Sequence, residues 1–358
     1  MKLKLYVLWL VLSLVSCTAE KIPLYVGTYT SGDSEGIYRF QFNSETGELS
    51  DMQLAVKTEN PSFLAYAPGQ KHLYAVNEND NGTVSSFEIE DNDTLTLMNM
   101  VSSNGSAPCH IAINRTGNIA AVSNYGSGTL SLYTISNDGS LNDAFQVFDH
   151  NTENETSHVH SAQFFNEDLY VSDLGRNSVY DYRTTKHKTD YELINPSIVA
   201  IPDNSGPRHF ALTKDGQFIY IINELGNTIT SAKKVNGKFQ LIENVPTIDD
   251  TFKGESFCAD IHLSKNEAFL YGSNRGENSI VVFARDTTTG KLKKIQSIGT
   301  DGDWPRNFTL DPSGKFLLVA NKKSNNIAVF KINNSTGKLS FIHSTGLPSP
   351  VCLLFYNP

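Results

Sequence analysis

The sequence predicts an all-β, seven-bladed propeller with four antiparallel strands per blade. Three observations carry that prediction. One strand-opening pattern recurs along the chain at a spacing of about 48 residues, a period that belongs to propellers, solenoids or arrays. Each period holds four short apolar or alternating runs separated by turn signals, which is the content of a propeller blade. The N-terminal segment lacks the first of these four runs, and the C-terminus supplies it. The pattern opens at Asn60-Pro61-Ser62-Phe63-Leu64, Ala107-Pro108-Cys109-His110-Ile111, His158-Val159-His160-Ser161-Ala162, Gly206-Pro207-Arg208-His209-Phe210, Ser256-Phe257-Cys258-Ala259-Asp260, Trp304-Pro305-Arg306-Asn307-Phe308 and Ser349-Pro350-Val351-Cys352-Leu353.

The chain starts with Lys2 and Lys4, an apolar run over residues 5–15, then Ser16 and Cys17. A charged start before an apolar run too short to span a bilayer reads as a secretory signal. Leu14-Val15-Ser16-Cys17 resembles the lipobox of bacterial lipoproteins, which implies a lipid on Cys17 as the first mature residue. Residues 1–17 are therefore expected to be a lipoprotein-type signal with Cys17 as attachment site. Residues 18–23 would be a tether and residues 24–358 one propeller domain. The protein is expected to be exported and held at the envelope by its N-terminal lipid only.

Within the domain, residues 24–27, 37–42 and 49–56 match the second, third and fourth strands of a repeat. The missing first strand is the stretch 351–356. The two ends should complete one blade, closing the ring and leaving no open sheet edge. The repeat from Gly206 shows the plan. Residues 208–212 form an apolar run, Lys214-Asp215-Gly216-Gln217 a turn, and residues 218–222 a second strand of β-branched and aromatic residues. Residues 223–227 turn again, 228–231 start a third strand, and Asn236-Gly237 turns into a fourth over 239–243. No stretch keeps a helical period.

Composition bounds the rest. The 358 residues are 39% hydrophobic and 19% charged, with a formal net charge of −9, so a nucleic-acid partner is not expected. Beyond Cys17 the cysteines are Cys109, Cys258 and Cys352, an odd number that gives no disulfide framework. All three read as the same phase of the repeat, in similar apolar surroundings. No Cys or His pair has zinc-ligand spacing, and neither metal nor cofactor is expected. A monomer is expected.

In an antiparallel hairpin the start of strand one lies beside the end of strand two, and in a propeller strand one lines the channel. Residues at these two positions should therefore ring one mouth of the channel. They are Asn77, Glu78, His110, Asn124, His160, Asp173, Arg208, His209, Asn223, Glu224, Asp260, Asn274, Arg275, Arg306, Asn321 and Lys322. His160, Arg208, Glu224 and Arg275 stand out, because they come from three consecutive blades. Arginine offers a fixed fork for a carboxylate or phosphate, and His and Glu are the usual acid–base groups. Such a quartet suits an anionic substrate and a proton transfer.

Tyr25-Val26-Gly27-Thr28-Tyr29-Thr30, Ala75-Val76-Asn77-Glu78, Asn124-Tyr125-Gly126-Ser127-Gly128, Gly206-Pro207-Arg208-His209, Ser273-Asn274-Arg275-Gly276 and Trp304-Pro305-Arg306 together resemble the lactonase-type seven-bladed propellers. That family includes bacterial 6-phosphogluconolactonase of the propeller type and fungal carboxymuconate lactonising enzyme. By motif, the resemblance implies His160, Arg208, Glu224 and Arg275 as catalytic residues and no metal. It implies a lactone hydrolase acting on a small anionic lactone or sugar-acid substrate. Asn77, Glu78, His110, Asn124, Asp173, His209, Asn223, Asn274, Arg306 and Asn321 are the expected substrate-binding ring. Two other readings are a lactonising cycloisomerase, and a non-catalytic envelope propeller that binds a glycan or a protein. The chain departs from its own pattern at Phe165-Asn166-Glu167-Asp168, where the turn lacks Asp-Gly, and at Lys233 and Lys234, where apolar residues would fit.

Overall fold

The computed structural model describes residues 21–185, 190–249 and 251–356. Among these are seven four-stranded antiparallel sheets and no helix. Six sheets are built from consecutive strands: blade 1 (residues 61–102), blade 2 (108–149), blade 3 (159–195), blade 4 (207–246), blade 5 (257–299) and blade 6 (305–346). Blade 7 joins Pro350–Phe355 to Lys21–Thr28, Gly36–Asn43 and Leu49–Lys57 in that order. The first strands of all seven blades pack side by side in a closed ring. The expected architecture is the observed one, shared blade included.

The blade pattern follows from which faces are covered. Second strands lie between two neighbouring sheets, so both faces are dry and the sequence is continuously apolar. Phe218–Asn223 is buried at every position. Fourth strands form the rim and see water on one side. Leu141–Asp149, for example, alternates between sheltered and exposed positions along much of its length. The cores are the seams between blades. At the seam of blades 6 and 7, Phe40 and Phe42 pack on Phe316, Leu318 and Val329, and Leu353 and Phe355 from the C-terminal strand join them.

Tyrosines tie neighbouring blades together. Each sits three or four residues before the end of a second strand and donates its hydroxyl to a hairpin carbonyl of the next blade. Tyr25 reaches Asp93 O at 2.9 Å, Tyr74 reaches Gly139 O at 2.8 Å, and Tyr220 and Tyr271 reach Gly290 O and Gly337 O at 3.0 Å. Gly290 has φ +77°, and a Cβ there would collide with the Phe218 ring, so glycine is required.

The seam of blades 3 and 4 departs from this plan. The third strands of the other six blades place Phe40, Phe87, Tyr133, Tyr182, Phe283 and Phe330 against the preceding blade, and blade 4 has Ala232 there. Facing it is Asp181, where blades 5 and 6 have Val282 and Val329. The result is a polar cleft of about 770 Å³ lined by Asp168, Tyr170, Asp181, Lys234 and Phe239. Lys234 donates to Tyr170 Oη at 3.0 Å and lies over the Phe239 ring, which accounts for a lysine where an apolar residue would fit.

The first strand of the chain begins at Lys21, three residues ahead of the expected domain boundary. Ile22 is already buried in the core. This strand runs from Lys21, far from the mouth, to Thr28 beside it. The expected signal, the Cys17 attachment site and residues 18–20 of the tether lie outside the described residues.

Candidate active site

Two positions in each blade build the mouth. The first is the residue after the end of the second strand: Tyr29, Glu78, Tyr125, Leu174, Glu224 and Lys322, with Arg275 at the equivalent place in blade 5. In six blades its backbone N–H is tied to the carbonyl of the residue ahead of strand one. The distances run from 2.7 Å at Glu224 N to Gly206 O up to 3.1 Å at Tyr29 N to Ser349 O. The second position is an extra residue in strand one. The pairing register skips Cys109, His160, Arg208 and Arg306, each at a β-bulge. A bulge bends the strand and re-aims the extra side chain, here toward the mouth.

The four expected catalytic residues gather there. Glu224 Oε2 lies 2.8 Å from Arg275 Nη2 and 3.0 Å from Arg208 Nε. The Arg208 Nε–H points off the line to this oxygen and completes no hydrogen bond. Arg275 is anchored from behind, donating from Nη2 to Cys258 O at 2.9 Å. His160 is 4% exposed. Its ring lies edge-on to Tyr125 and His209, with centroids 5.6 and 5.3 Å away, and Nδ1 is 3.8 Å from Cys109 Sγ. Burial, and then the charges of Arg208, His209, Arg306 and Arg275, hold His160 well below the usual histidine range. It is a neutral imidazole at neutral pH.

A second carboxylate sits across the mouth. Glu78 Oε2 accepts from Tyr29 Oη at 2.8 Å and from Arg306 Nη2 at 3.3 Å. Aromatic rings carry the remaining cations. Arg306 and Lys322 lie over Tyr29, with 5.3 and 4.7 Å to the centroid, and Arg275 and Lys323 lie over Trp304 at 5.3 and 3.5 Å. Five cations (Arg208, Arg275, Arg306, Lys322, Lys323) thus surround two carboxylates (Glu78, Glu224). Arg208 shows the strain of this crowding: burial, then Arg275 and Arg306, pull it down to about 10. The excess positive charge favours an anion, or a group that becomes one.

The expected substrate-binding ring divides. Glu78 and Arg306 face the mouth. His110 and His209 lie one layer deeper, where His110 packs on Phe63 at 4.2 Å between centroids and His209 lies 6.0 Å from the same ring. Phe63 and His209 come from opposite sides of the ring, so this layer closes the channel beneath the site. Asp260 is at the same depth, bonded to His209.

Asn77, Asn124, Asp173, Asn223, Asn274 and Asn321 turn into the blades instead, each no more than 1% exposed. Asn77 donates to Thr58 Oγ1 at 2.8 Å, Asn124 to Ser103 O at 3.0 Å, Asn223 to Thr230 Oγ1 at 2.9 Å, Asn274 to Ser279 Oγ at 3.0 Å and Asn321 to Thr300 O at 3.0 Å. Asp173 accepts from His158 N and Tyr180 Oη at 2.9 Å. These six fasten loops and third strands, with their side chains buried in the blades behind the mouth. The cysteines need a correction too. All three are buried, but the register puts Cys109 in its bulge, Cys258 opposite Asn274 and Cys352 opposite Gly27, three successive phases of the repeat. Of the three thiols only that of Cys109 lies against one of the four expected catalytic side chains, 3.8 Å from His160 Nδ1. Among the described residues, no three His, Cys, Asp or Glu side chains are grouped to hold a metal.

Sequence reasoning passed over Tyr29, Tyr125, Trp304 and Lys323 as site walls. A signal was present for the first two: they stand in the same column as Glu78 and Glu224, one residue after the buried strand end.

Comparison with known proteins agrees with the seven-bladed fold. Residues 23–355 match the family model described as lactonase, 7-bladed beta-propeller. The chain belongs to that lactonase family. Its relatives include a 6-phosphogluconolactonase of Formosa agariphila, 35% identical over 309 residues, covering 82% of this chain and 87% of that one. A 6-phosphogluconolactonase of Bacillus subtilis is 33% identical over 300 residues, covering 81% and 85%. Among solved structures, a periplasmic gluconolactonase of Pseudomonas aeruginosa superposes with a TM-score of 0.88 at 29% identity, covering 94% of this chain and 99% of that one. The match to the lactonase family spans all seven blades, as the resemblance in the sequence implied.

Proposed function

We propose that the protein hydrolyses sugar-acid lactones at the channel mouth, and that His160, Arg208, Glu224 and Arg275 carry the reaction. The observation that carries this reading is Glu224 bridging two buried guanidiniums beside a neutral imidazole. The names of the relatives support the reaction class. His160, neutral and sheltered, takes a proton from the attacking water. The carbonyl oxygen of the lactone gains charge as the tetrahedral intermediate forms. Arg208 and Arg275 stabilise it there, in a site already too positive for its own carboxylates. The ring oxygen leaves as an alkoxide and takes the proton back from His160. Glu224 holds the two guanidiniums in place and offsets part of their charge. Arg306, Lys322 and Lys323 hold the substrate's anionic group, with Tyr29 and Trp304 as walls.

The test is lactone opening followed by pH-stat on glucono-δ-lactone and 6-phosphogluconolactone, with the spontaneous rate subtracted. The anionic lactone is expected to give the higher kcat/KM. The base must be neutral to work, and the folded site depresses its pKa. The rate should therefore stay level through neutrality and fall only as pH drops well below about 6.5, the ordinary histidine value. No acceleration on either lactone by a folded protein would favour the non-catalytic binding reading. An acid limb at or above pH 6.5 would remove His160 as the base.

We also propose that the protein is an exported lipoprotein, on the strength of the charged, apolar and lipobox-like start and the periplasmic gluconolactonase among similar structures. Mass spectrometry of the N-terminal peptide from membranes should show acylated Cys17. An unmodified peptide in the soluble fraction would overturn this.

A further inference from the structure

We propose that His209 and Asp260 are positioning residues for Arg208, acting through a chain of hydrogen bonds that fixes the histidine tautomer. The proposal rests on the lactonase reading for its rate effects, but its structural half is measurable without any activity.

The chain starts at Asp260, which is 3% exposed in the layer closing the channel. Its Oδ1 accepts from His209 Nδ1 at 2.8 Å and from Ile261 N at 2.9 Å. Its Oδ2 accepts from Asn307 Nδ2 at 2.6 Å, His262 Nε2 at 3.1 Å and Phe308 N at 3.2 Å. Five donors converge on one side chain, which suits an ionised, acceptor-only carboxylate. Burial alone would raise its pKa; His262 and His209 outweigh burial and hold it well below the usual carboxylate range.

A carboxylate at 2.8 Å requires the proton of His209 to be on Nδ1. His209 is itself neutral at neutral pH, since burial and then Arg208 pull it down to about 4. One proton on Nδ1 leaves Nε2 as an acceptor. Nε2 lies 3.4 Å from Arg208 Nη1, which therefore donates to it, and the same Nη1 donates to Ala259 O at 2.5 Å. The two acceptors hold one edge of the guanidinium and leave Nε–H on the side of Glu224. Among the described residues no other group hydrogen-bonds His209 Nε2: the His110 and His160 rings stand edge-to-face with it, centroids 5.5 and 5.3 Å away, and Phe63 is apolar.

Two amide substitutions separate the halves of the chain. His209→Asn keeps a donor near Nδ1 for Asp260 and removes the acceptor for Arg208. His209→Gln places an acceptor near Nε2 and loses the donor to Asp260. If His209 works by orienting Arg208, His209→Asn should lower kcat about tenfold or more, since small misplacement of a catalytic group is costly. His209→Gln should stay within about threefold of wild type in kcat yet be the less stable of the two in urea. Asp260→Asn should lower kcat, because either tautomer of His209 is then tolerated, and NMR should find the His209 proton no longer confined to Nδ1. In the wild type, ¹⁵N NMR should show His209 protonated on Nδ1 and bare on Nε2.

The proposal fails if the two His209 variants lose kcat in proportion to their loss of stability. It also fails if NMR finds the proton on Nε2. If the wild type opens no lactone, the proposed activity fails separately. Calorimetric titration with gluconate then reads Arg208 directly: His209→Asn should weaken binding more than His209→Gln, and equal affinities would sink the positioning role.

Discussion

His160→Gln is expected to lower kcat for lactone opening by about 10²–10⁴-fold, the usual contribution of a positioned general base. KM should change little, because the anionic part of the substrate is held by cations on blade 6. Glutamine fills much of the same space without a basic nitrogen, and the site should stay folded. The acid limb below about pH 6.5 should vanish with the imidazole, leaving a rate that follows hydroxide alone. Glu224→Gln is the informative contrast. It leaves two buried guanidiniums without their carboxylate, so it should lower thermal stability as well as rate. A His160→Gln enzyme with near-normal kcat would move the base elsewhere, Glu224 being the next candidate.

Removing residues 349–358 is expected to prevent folding. The segment carries the inner strand of blade 7, where Val351, Cys352, Leu353 and Phe355 are all buried. Losing those side chains costs about 1.5–3 kcal/mol for each large one, against a whole-protein stability of about 5–15 kcal/mol. The cut also strips backbone partners from Leu24–Thr28 and opens the ring on both sides. The truncated protein should lack a cooperative melting transition by circular dichroism. A synthetic peptide of residues 349–358 should restore it, by adding the missing strand to a waiting sheet edge. A truncated protein that melts like the full chain would mean that the ring holds with six blades.

The ring was legible because its evidence is redundant. A turn or strand missed in one repeat is recovered from another, and the incomplete ends fit each other. The clustering of the proposed quartet at the mouth was legible for a related reason: Arg208, Glu224 and Arg275 are charges on, or just beyond, strands that are otherwise largely apolar. The neighbouring residues were not legible, because one residue of phase decides their fate. Asn223 and Glu224 are adjacent and both polar, yet Asn223 is locked inside the blade and Glu224 faces the site. The bulge in strand one adds to the difficulty. It shifts Cys109 away from the phase of Cys258, and Ser256-Phe257-Cys258 has no proline to mark the register. Aromatic walls such as Trp304 read as core residues until their neighbours in space are known. The open seam at Ala232 became visible only when the third strands could be laid side by side.

The direction of the first strand sets how the molecule would stand on a membrane. Lys21 is at the end of the channel remote from Glu78 and Glu224, a strand length of about 25 Å below them. The chain from Cys17 to Lys21 reaches at most about 14 Å. A lipid on Cys17 would therefore hold the end of the channel remote from the mouth against the bilayer and turn the mouth toward solution. Substrate would then arrive from the aqueous side, with no need to approach through the lipid headgroups.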